Sequence, residues 1–132
     1  MIKSGASTGR TVIVETDEIF TIWSPLAVFR ANRGMILPYY LLYILKSNGY
    51  LKQVENKWTY GTQQNIGMRT LEKLIICYPE LDEQKEIVSY LDNKCAKIDN
   101  LISIKLSKID SLKEYKKSII YEYVTGKKEV IE

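Results

Sequence analysis

One stretch dominates the sequence: residues 83–124, EQKEIVSYLDNKCAKIDNLISIKLSKIDSLKEYKKSIIYEYV, which contain neither proline nor glycine. Those two residue types end or weaken helices, so their absence over this length predicts one continuous helix. Glu80, Asp82 and Glu83 place negative charge where the helix dipole favours it, and Asp82 is the predicted N-cap. Gly126, followed by two lysines, is the expected stop signal. At about 1.5 Å per residue, the predicted helix is on the order of 60 Å long.

The apolar residues of this helix recur every eleven positions. Eleven residues make three turns plus about 20°, so residues at this interval form a nearly straight stripe along the helix. The residues before the helix are too few to cover the whole stripe, which predicts that it packs on a partner helix with slight right-handed winding. Lys94, Lys105, Lys116 and Lys127 repeat at the same interval and are expected to flank the stripe. The residues expected at the interface are Ile87, Tyr90, Leu91, Ile98, Leu101, Ile102, Ile109, Leu112 and Ile120.

The residues before the helix predict a small mixed region. Short runs of β-branched and aromatic residues at 11–14, 19–22, 27–30 and 74–78 indicate strands. Pro38 opens an apolar run that stops at Ser47-Asn48-Gly49, the pattern of a short buried helix with glycine at its end. Its tyrosines, Tyr39, Tyr40 and Tyr43, are expected in the core. The predicted fold class is α+β, with a mixed region at 1–81, a helix at 82–126 and a tail at 127–132.

Composition excludes several functions. The chain has no histidine, so the serine, cysteine and metal chemistries that need an imidazole have no residue to use. Cys77 and Cys95 lack metal-site spacing and are expected to be ordinary buried thiols of a reduced, cytoplasmic protein. No apolar run approaches the roughly twenty residues of a membrane span. We therefore expect no metal, no cofactor and no membrane span, and an enzyme is the least favoured function because the first 81 residues lack both histidine and a paired-carboxylate signal.

Charge is divided unevenly along the chain. Residues 1–81 carry nine Lys/Arg and six Asp/Glu, whereas residues 82–132 carry ten of each. This balance is mild, so a contact with nucleic acid would have to be local to the first 81 residues. Arginine pairs with guanine edges, and asparagine or glutamine with adenine edges, so these residue types in polar loops are candidate DNA contacts. The candidates are Arg10, Arg30, Asn32, Arg33, Gln63, Gln64, Asn65 and Arg69.

Each candidate has an equally simple structural explanation. Surface loops are ordinarily polar, and residues 63–65 could turn the chain. The loop from Ser4 to Arg10 could offer backbone N–H groups and a guanidinium group to a phosphate, or it could be a turn ahead of a strand. No Gly-Lys-Ser/Thr follows it, which excludes a nucleotide-triphosphate site. Trp58 and Tyr60 could stack on a base or pack in the core.

Several segments in a fixed order resemble a known family. They are residues 5–10 GASTGR, 36–41 ILPYYL, 60–66 YGTQQNI, 71–76 LEKLII, 78–87 YPELDEQKEI, 98–102 IDNLI, 112–115 LKEY and 124–127 VTGK. In order and spacing they are similar to the DNA-sequence-specificity subunit of type I restriction-modification enzymes. The resemblance runs over more than a hundred residues. It implies a target recognition domain, here residues 1–81, followed by a long helical spacer.

The resemblance also implies a function and partners. Two such units, usually fused, set their helices antiparallel and read the two halves of a split site in double-stranded DNA. Methyltransferase subunits, which bring S-adenosylmethionine, and a restriction subunit, which brings ATP, bind the specificity subunit. This chain carries one unit, shorter at its amino end than the family's domain, so we expect an antiparallel homodimer. The alternative is an assembly module or recombination donor that does not read DNA alone.

Overall fold

A computed structural model describes residues 1–60 and 64–130. In chain order the elements are α1 (Pro38–Lys46), α2 (Asn48–Glu55), β1 (Thr59–Tyr60), β2 (Gln64–Asn65), α3 (Met68–Leu71) and α4 (Leu81–Val124). Short helices and strands followed by one long helix confirm the predicted α+β class. The chain divides into two compact units, Met1–Tyr90 and Leu91–Glu132, so the first turns of α4 belong to the first unit.

The first residues of the chain form the centre of an irregular sheet. On one side, the Lys3 N–H donates to the Pro25 carbonyl at 2.8 Å, and Ile2 forms an antiparallel bridge with Leu26. On the other side, the Ile66 N–H donates to the Lys3 carbonyl at 2.9 Å. Strand β2 then pairs antiparallel with β1, Thr59 opposite Asn65 and Tyr60 opposite Gln64. Three segments distant in the sequence, around residues 3, 26 and 65, are therefore joined by backbone hydrogen bonds.

The hydrophobic core lies between this sheet and the short helices. Its buried residues are Ala27, Leu45, Tyr50, Val54, Ile66 and Leu71. The three short helices contribute four of these side chains, and half-buried residues such as Phe29 and Trp58 pack around them. The prediction that the tyrosines of α1 form the core is wrong. Tyr39 is exposed and donates a hydrogen bond to Glu15, Tyr40 and Tyr43 are half-buried, and Leu45 is the buried residue of α1.

Helix α1 begins at the predicted proline, but the predicted stop signal starts a second helix. Ser47 has extended backbone angles that end α1, and its hydroxyl accepts a hydrogen bond from the Tyr50 N–H at 3.3 Å. Serine and asparagine are N-cap residues as well as turn residues, and here the N-cap role dominates. Gly49 lies inside α2 and does not close α1. Tyr50 and Val54 of α2 are buried, which explains why this helix forms.

The four predicted strands are wrong. The structure assigns no strand to residues 11–14, 19–22, 27–30 or 74–78, all of which it describes. Residues 11–22 have the composition of strands, but a strand forms only where a neighbouring backbone supplies hydrogen bonds. In the 74–78 segment a side chain takes that place. Gln53 Nε2 donates to the Ile75 carbonyl at 2.9 Å, and the Ile75 N–H donates to Gln53 Oε1 at 3.1 Å.

The long helix confirms the main prediction and corrects its first residue. Helix α4 begins at Leu81, so Asp82 is not the N-cap. Its carboxylate accepts a hydrogen bond from Lys85 Nζ at 2.8 Å, and this bond lowers the pKa of Asp82. Asp82 and Glu83 still lie in the first turn, where the dipole favours negative charge. Gly126 has a φ of 71°, the left-handed conformation of a helix stop.

The two cysteines are exposed, which corrects the expectation of buried thiols. Cys77 lies in the extended segment between α3 and α4, and Cys95 lies on α4. Most side chains of the second unit that the structure describes are likewise exposed. No described helix is long and apolar enough to cross a membrane. Within the described residues, no group of three or more Cys, Asp or Glu side chains could hold a metal ion.

Candidate nucleic-acid interface

The glycine-rich loop from Ser4 to Arg10 is a tightly bonded turn. The Thr8 N–H and the Thr8 hydroxyl both donate to the Gly5 carbonyl, at 3.0 and 2.7 Å. The Gly9 N–H donates to the Ile2 carbonyl at 2.8 Å, and the Arg10 N–H donates to the Ser7 carbonyl at 3.1 Å. These N–H groups are therefore occupied within the protein, which favours the structural turn over a phosphate cradle. The Arg10 side chain itself is exposed.

The turn lies against two other candidate residues. The Gly5 N–H donates to the Gln64 carbonyl at 2.9 Å, and Ser4 forms an antiparallel bridge with Asn65. The structure thus brings the 4–10 turn together with Gln64 and Asn65, which are about sixty positions later in the chain. The Asn65 side chain is exposed and that of Gln64 is half-buried. Gln63 and the 61–62 segment lie outside the described residues.

The loop at 30–34 carries three more candidates. Asn32 organises it: its carbonyl accepts hydrogen bonds from the N–H groups of Met35 and Ile36, and its Oδ1 accepts from Gly34 at 3.2 Å. Arg30 and Arg33 are exposed on either side of Asn32. Neither arginine forms an ion pair with another described residue. The Asn32 side chain therefore shapes the loop, while the two guanidinium groups are exposed at the surface.

The remaining candidates are Arg69 and the aromatic residues. Arg69 is exposed on α3, a single turn anchored by the buried side chain of Leu71. No described hydrogen bond joins Arg69 or the 30–34 loop to the 4–10 turn. Trp58 is half-buried and packs against the core, in agreement with the packing alternative.

Gln84 is an important residue that the sequence analysis missed. It is fully buried, and its side chain makes three hydrogen bonds from the first turns of α4. Oε1 accepts from the Leu37 N–H at 2.9 Å, and Nε2 donates to the carbonyls of Met35 at 2.9 Å and Pro79 at 2.7 Å. Position 84 lies three residues before Ile87, on the same helix face as the apolar stripe. That spacing is the signal that could have identified it.

The apolar stripe of α4 is exposed over most of its length. Ile87 and Leu91 are half-buried, whereas the other seven predicted interface residues are exposed, for example Ile98 at 54% and Leu101 at 58%. The lysine row does not simply border this stripe. Lys94, Lys105 and Lys116 each follow an isoleucine of the stripe by seven residues, two turns less about 20°. They therefore lie between the row formed by Ile87, Ile98 and Ile109 and the row formed by Tyr90, Leu101 and Leu112.

Comparison with known proteins assigns this arrangement to a family. Residues 1–114 match the family described as type I restriction modification DNA specificity domain. A relative from Methanocaldococcus jannaschii, whose name gives it provisionally as the type I restriction enzyme MjaX specificity subunit, is 31% identical over 128 residues. The MjaVIII type I restriction enzyme specificity subunit of the same organism is 31% identical over 117 residues.

The matches cover 94% and 88% of this chain but 29% and 26% of the two relatives. The chain thus spans somewhat more than a quarter of the length of these relatives. The comparison with solved structures gave no significant match. The family match extends over most of the chain and includes the turn, the loops and about the first nine turns of α4. The chain therefore belongs to the type I restriction modification DNA specificity domain family.

Proposed function

We propose that the chain is a DNA-reading specificity component of a type I restriction-modification system. In this proposal residues 1–81 belong to a target recognition domain that contacts one half of a split site in double-stranded DNA. Residues 82–126 form a spacer helix that holds the assembly together, and residues 127–132 are a tail. The observation that carries the proposal is the exposure of Arg10, Arg30, Arg33 and Arg69 without an ion pair among the described residues.

Unpaired arginines are available to phosphates and guanine edges at no cost in broken ion pairs. The ion pairs of the described chain, by contrast, are formed by lysines of α4 and the turn after it. Asn65, paired with Ser4 of the 4–10 turn, and Asn32, in the 30–34 loop, are possible adenine contacts, and Asn32 Oδ1 already accepts a hydrogen bond from the Gly34 N–H. The first unit therefore offers exposed cationic side chains on three separate loops or turns.

The spacer helix is proposed to pair with a second copy, antiparallel. In a parallel pair in register, equivalent positions face each other, so the rows containing Lys105 and Lys116 would meet along the seam. In an antiparallel pair, a lysine of one copy can lie beside an isoleucine of the other, with its ammonium group directed to solvent. Helix α4 of the second copy also carries Asp92, Asp99 and Asp110, whose negative charges would balance the positive charges of the lysines.

We propose that partner subunits bind the apolar side chains of α4 that lie outside the stripe and that a second α4 would leave exposed. Ile104, Leu106, Tyr115 and Tyr121 are exposed on α4 outside the stripe. We propose that they contribute to the binding of methyltransferase subunits, which supply S-adenosylmethionine, and of a restriction subunit, which supplies ATP. The chain itself would bind no cofactor and catalyse no reaction, and it would act where DNA is found, in the cytoplasm.

DNA binding tests the proposal directly. We predict that the purified chain retards random-sequence duplexes in a gel and that Arg30→Glu/Arg33→Glu weakens this binding. Removal of each phosphate contact should reduce the magnitude of the slope of log affinity against log salt concentration by about 1. Lys52→Glu/Lys73→Glu is the matched control, because it makes the same charge change at two other exposed positions of the first unit.

The outcomes separate two functions. Equal binding and equal salt slopes for the arginine and lysine variants would remove the 30–34 loop from the interface. A wild-type chain that binds no duplex at 50 mM salt would contradict DNA reading by this chain alone. The function would then be that of an assembly module, for which the exposed stripe of α4 would be the supporting feature.

A further inference from the structure

The end of the 30–34 loop is tied to the start of α4 by the side-chain amide of Gln84. The backbone carbonyl of Asn32 closes the loop by accepting hydrogen bonds from the N–H groups of Met35 at 2.8 Å and Ile36 at 2.9 Å. Directly after these, the Met35 carbonyl and the Leu37 N–H both bind Gln84. The backbone on both sides of the buried residue Ile36 is thus held by one side chain.

Glutamine is well suited to this position. Its amide supplies both a donor and an acceptor, as an extended backbone would, and here Nε2 uses both hydrogens, one for Met35 and one for Pro79. Glutamate of the same size has no donor, and an apolar residue has neither group. Because Gln84 is fully buried, each of these partners would lose a hydrogen bond in a place away from solvent.

We propose that Gln84 is a positioning residue for DNA recognition: it fixes the end of the 30–34 loop against the first turns of α4 and so orients Arg30 and Arg33. This inference rests on the proposed function, because the arginines are its proposed DNA contacts. Neither arginine is held by an ion pair within the described residues, so the loop backbone sets where each guanidinium group can reach. Gln84, on α4, forms hydrogen bonds with the backbone that follows Asn32, at Met35 and Leu37.

Gln53 provides a matched control within the same unit. It also forms a two-way amide pair with a backbone, that of Ile75, and it does not touch the 30–34 loop. Gln84→Ala and Gln53→Ala therefore remove the same chemical group from similar pairings at two places. Gln84→Glu keeps the side-chain volume and the acceptor for Leu37 but removes the donors to Met35 and Pro79.

Amide hydrogen exchange resolved by NMR is the first measurement, and it needs no DNA. Gln84→Ala should speed exchange of the Met35, Ile36 and Leu37 amides by at least about tenfold, because the loop end is released. Gln84→Glu should speed amide exchange at Met35 and Ile36 more than at Leu37, because it keeps the acceptor for the Leu37 N–H but loses the donor to the Met35 carbonyl. Gln53→Ala should speed the Ile75 amide and leave residues 35–37 unchanged. Unchanged exchange at 35–37 in both Gln84 variants would overturn the proposal.

A double-mutant cycle on random-sequence duplex is the second measurement. If Gln84 positions Arg33, then Arg33→Ala should cost less than about half as much affinity, as a fold-change, in the Gln84→Ala background as in the wild type. In the Gln53→Ala background it should cost the full amount. Equal costs in all three backgrounds would show that Gln84 acts independently of Arg33 and would overturn the positioning role.

Two further outcomes are distinguishable. If both Gln84 variants lose the far-ultraviolet circular dichroism that Gln53→Ala retains, Gln84 is required for folding and the proposal is overturned. If the wild type binds no duplex, the proposed function fails and the DNA arm of the inference fails with it. The exchange measurement still decides, in that case, whether Gln84 holds the loop.

Discussion

Tyr50 shows how a single residue sets a pH dependence in this protein. Its side chain is buried in the core of the first unit, and its hydroxyl group has no hydrogen-bond partner among the described residues. Burial disfavours the phenolate and raises the pKa of Tyr50 from 10.0 to about 12. The folded state therefore holds a proton that the unfolded state releases between these two values. The contribution to stability is fully present below pH 10 and is lost as the pH rises towards 12.

We predict that Tyr50→Phe removes this alkaline loss of stability. At pH 7 the variant should be as stable as the wild type or more stable by up to about 1 kcal/mol, because a buried hydroxyl without a partner favours unfolding. The measurement is urea unfolding at pH 7 and pH 11 for both proteins. Tyr50→Ala is the control for packing and should be strongly destabilised at both values. Equal losses of unfolding free energy between pH 7 and pH 11 in the wild type and in Tyr50→Phe would contradict the assignment of this pH dependence to Tyr50.

Two glycines of the 4–10 turn offer a second prediction at this scale. Gly5 and Gly9 both have a φ of 93°, a backbone conformation that residues with a side chain rarely adopt. A Cβ at position 9 would also lie 3.0 Å from the Leu51 side chain, whereas at position 5 nothing lies within 4 Å. Both Gly→Ala variants should lose about 1–2 kcal/mol of unfolding free energy from backbone strain, and Gly9→Ala should lose more. Equal losses in urea unfolding would show that Leu51 moves aside freely.

At the scale of elements, the sequence predicts what is local and misses what depends on partners. Helix α4 follows from a long stretch without proline or glycine, and α1 follows from Pro38, because each signal lies within the element. The predicted strand at 74–78 does not form, because the Ile75 backbone binds the Gln53 side chain. No local sequence pattern encodes that contact. Helix α2 was missed because Ser47 ends one helix and caps the next.

The candidate site follows the same division. Exposure of Arg10, Arg30, Arg33 and Arg69 is predictable, since guanidinium groups seldom lie buried without a partner. The pairing of Ser4 with Asn65 and the burial of Gln84 are not predictable, because each joins segments far apart in the chain. The sequence therefore suggests which side chains are suited to DNA but not how their loops are held.

The direction of the proposed α4 pairing is testable at this scale with a native residue. Cys95 is exposed at the edge of the stripe, so in a parallel pair in register the two copies of Cys95 would lie at the same height along the pair. In an antiparallel pair centred on the middle of the stripe, between residues 103 and 104, they would lie about 25 Å apart along the helix axis, beyond the reach of a disulfide. We predict no Cys95 disulfide in Cys77→Ser under mild oxidation, seen as a monomer band on a non-reducing gel.

A positive control makes that absence informative. Lys105→Cys, in a background with Cys77→Ser and Cys95→Ser, places a thiol near the centre of the antiparallel pair and should give a disulfide dimer. A rapid Cys95 disulfide together with the Lys105→Cys disulfide would instead indicate parallel pairing.

The whole-molecule prediction concerns the oligomeric state. The stripe exposes Ile98, Ile109, Leu101 and Leu112, which the described part of one chain does not cover. At about 25 cal/mol per Å², burying even a few hundred Å² of apolar surface on each copy would contribute several kcal/mol to association. Surface ion pairs of the helix, such as Lys113 with Asp110, contribute little by comparison because they are solvent-exposed. We therefore predict a homodimer whose interface is the stripe.

Charge placed in the stripe should dissociate this dimer. Ile98→Asp/Ile109→Asp would bury two carboxylates per copy in the stripe, and even beside lysines their desolvation should weaken association by at least about 100-fold. The control, Asn100→Asp/Ser107→Asp, adds the same charge on the opposite face of α4, roughly 180° from the stripe, and should leave the dimer intact. Light scattering coupled to size-exclusion chromatography measures the masses of all three proteins. A monomeric wild type, or a dimer that withstands both stripe carboxylates, would exclude the stripe as the interface, and the family's spacer role would then have to be served by a different surface of α4.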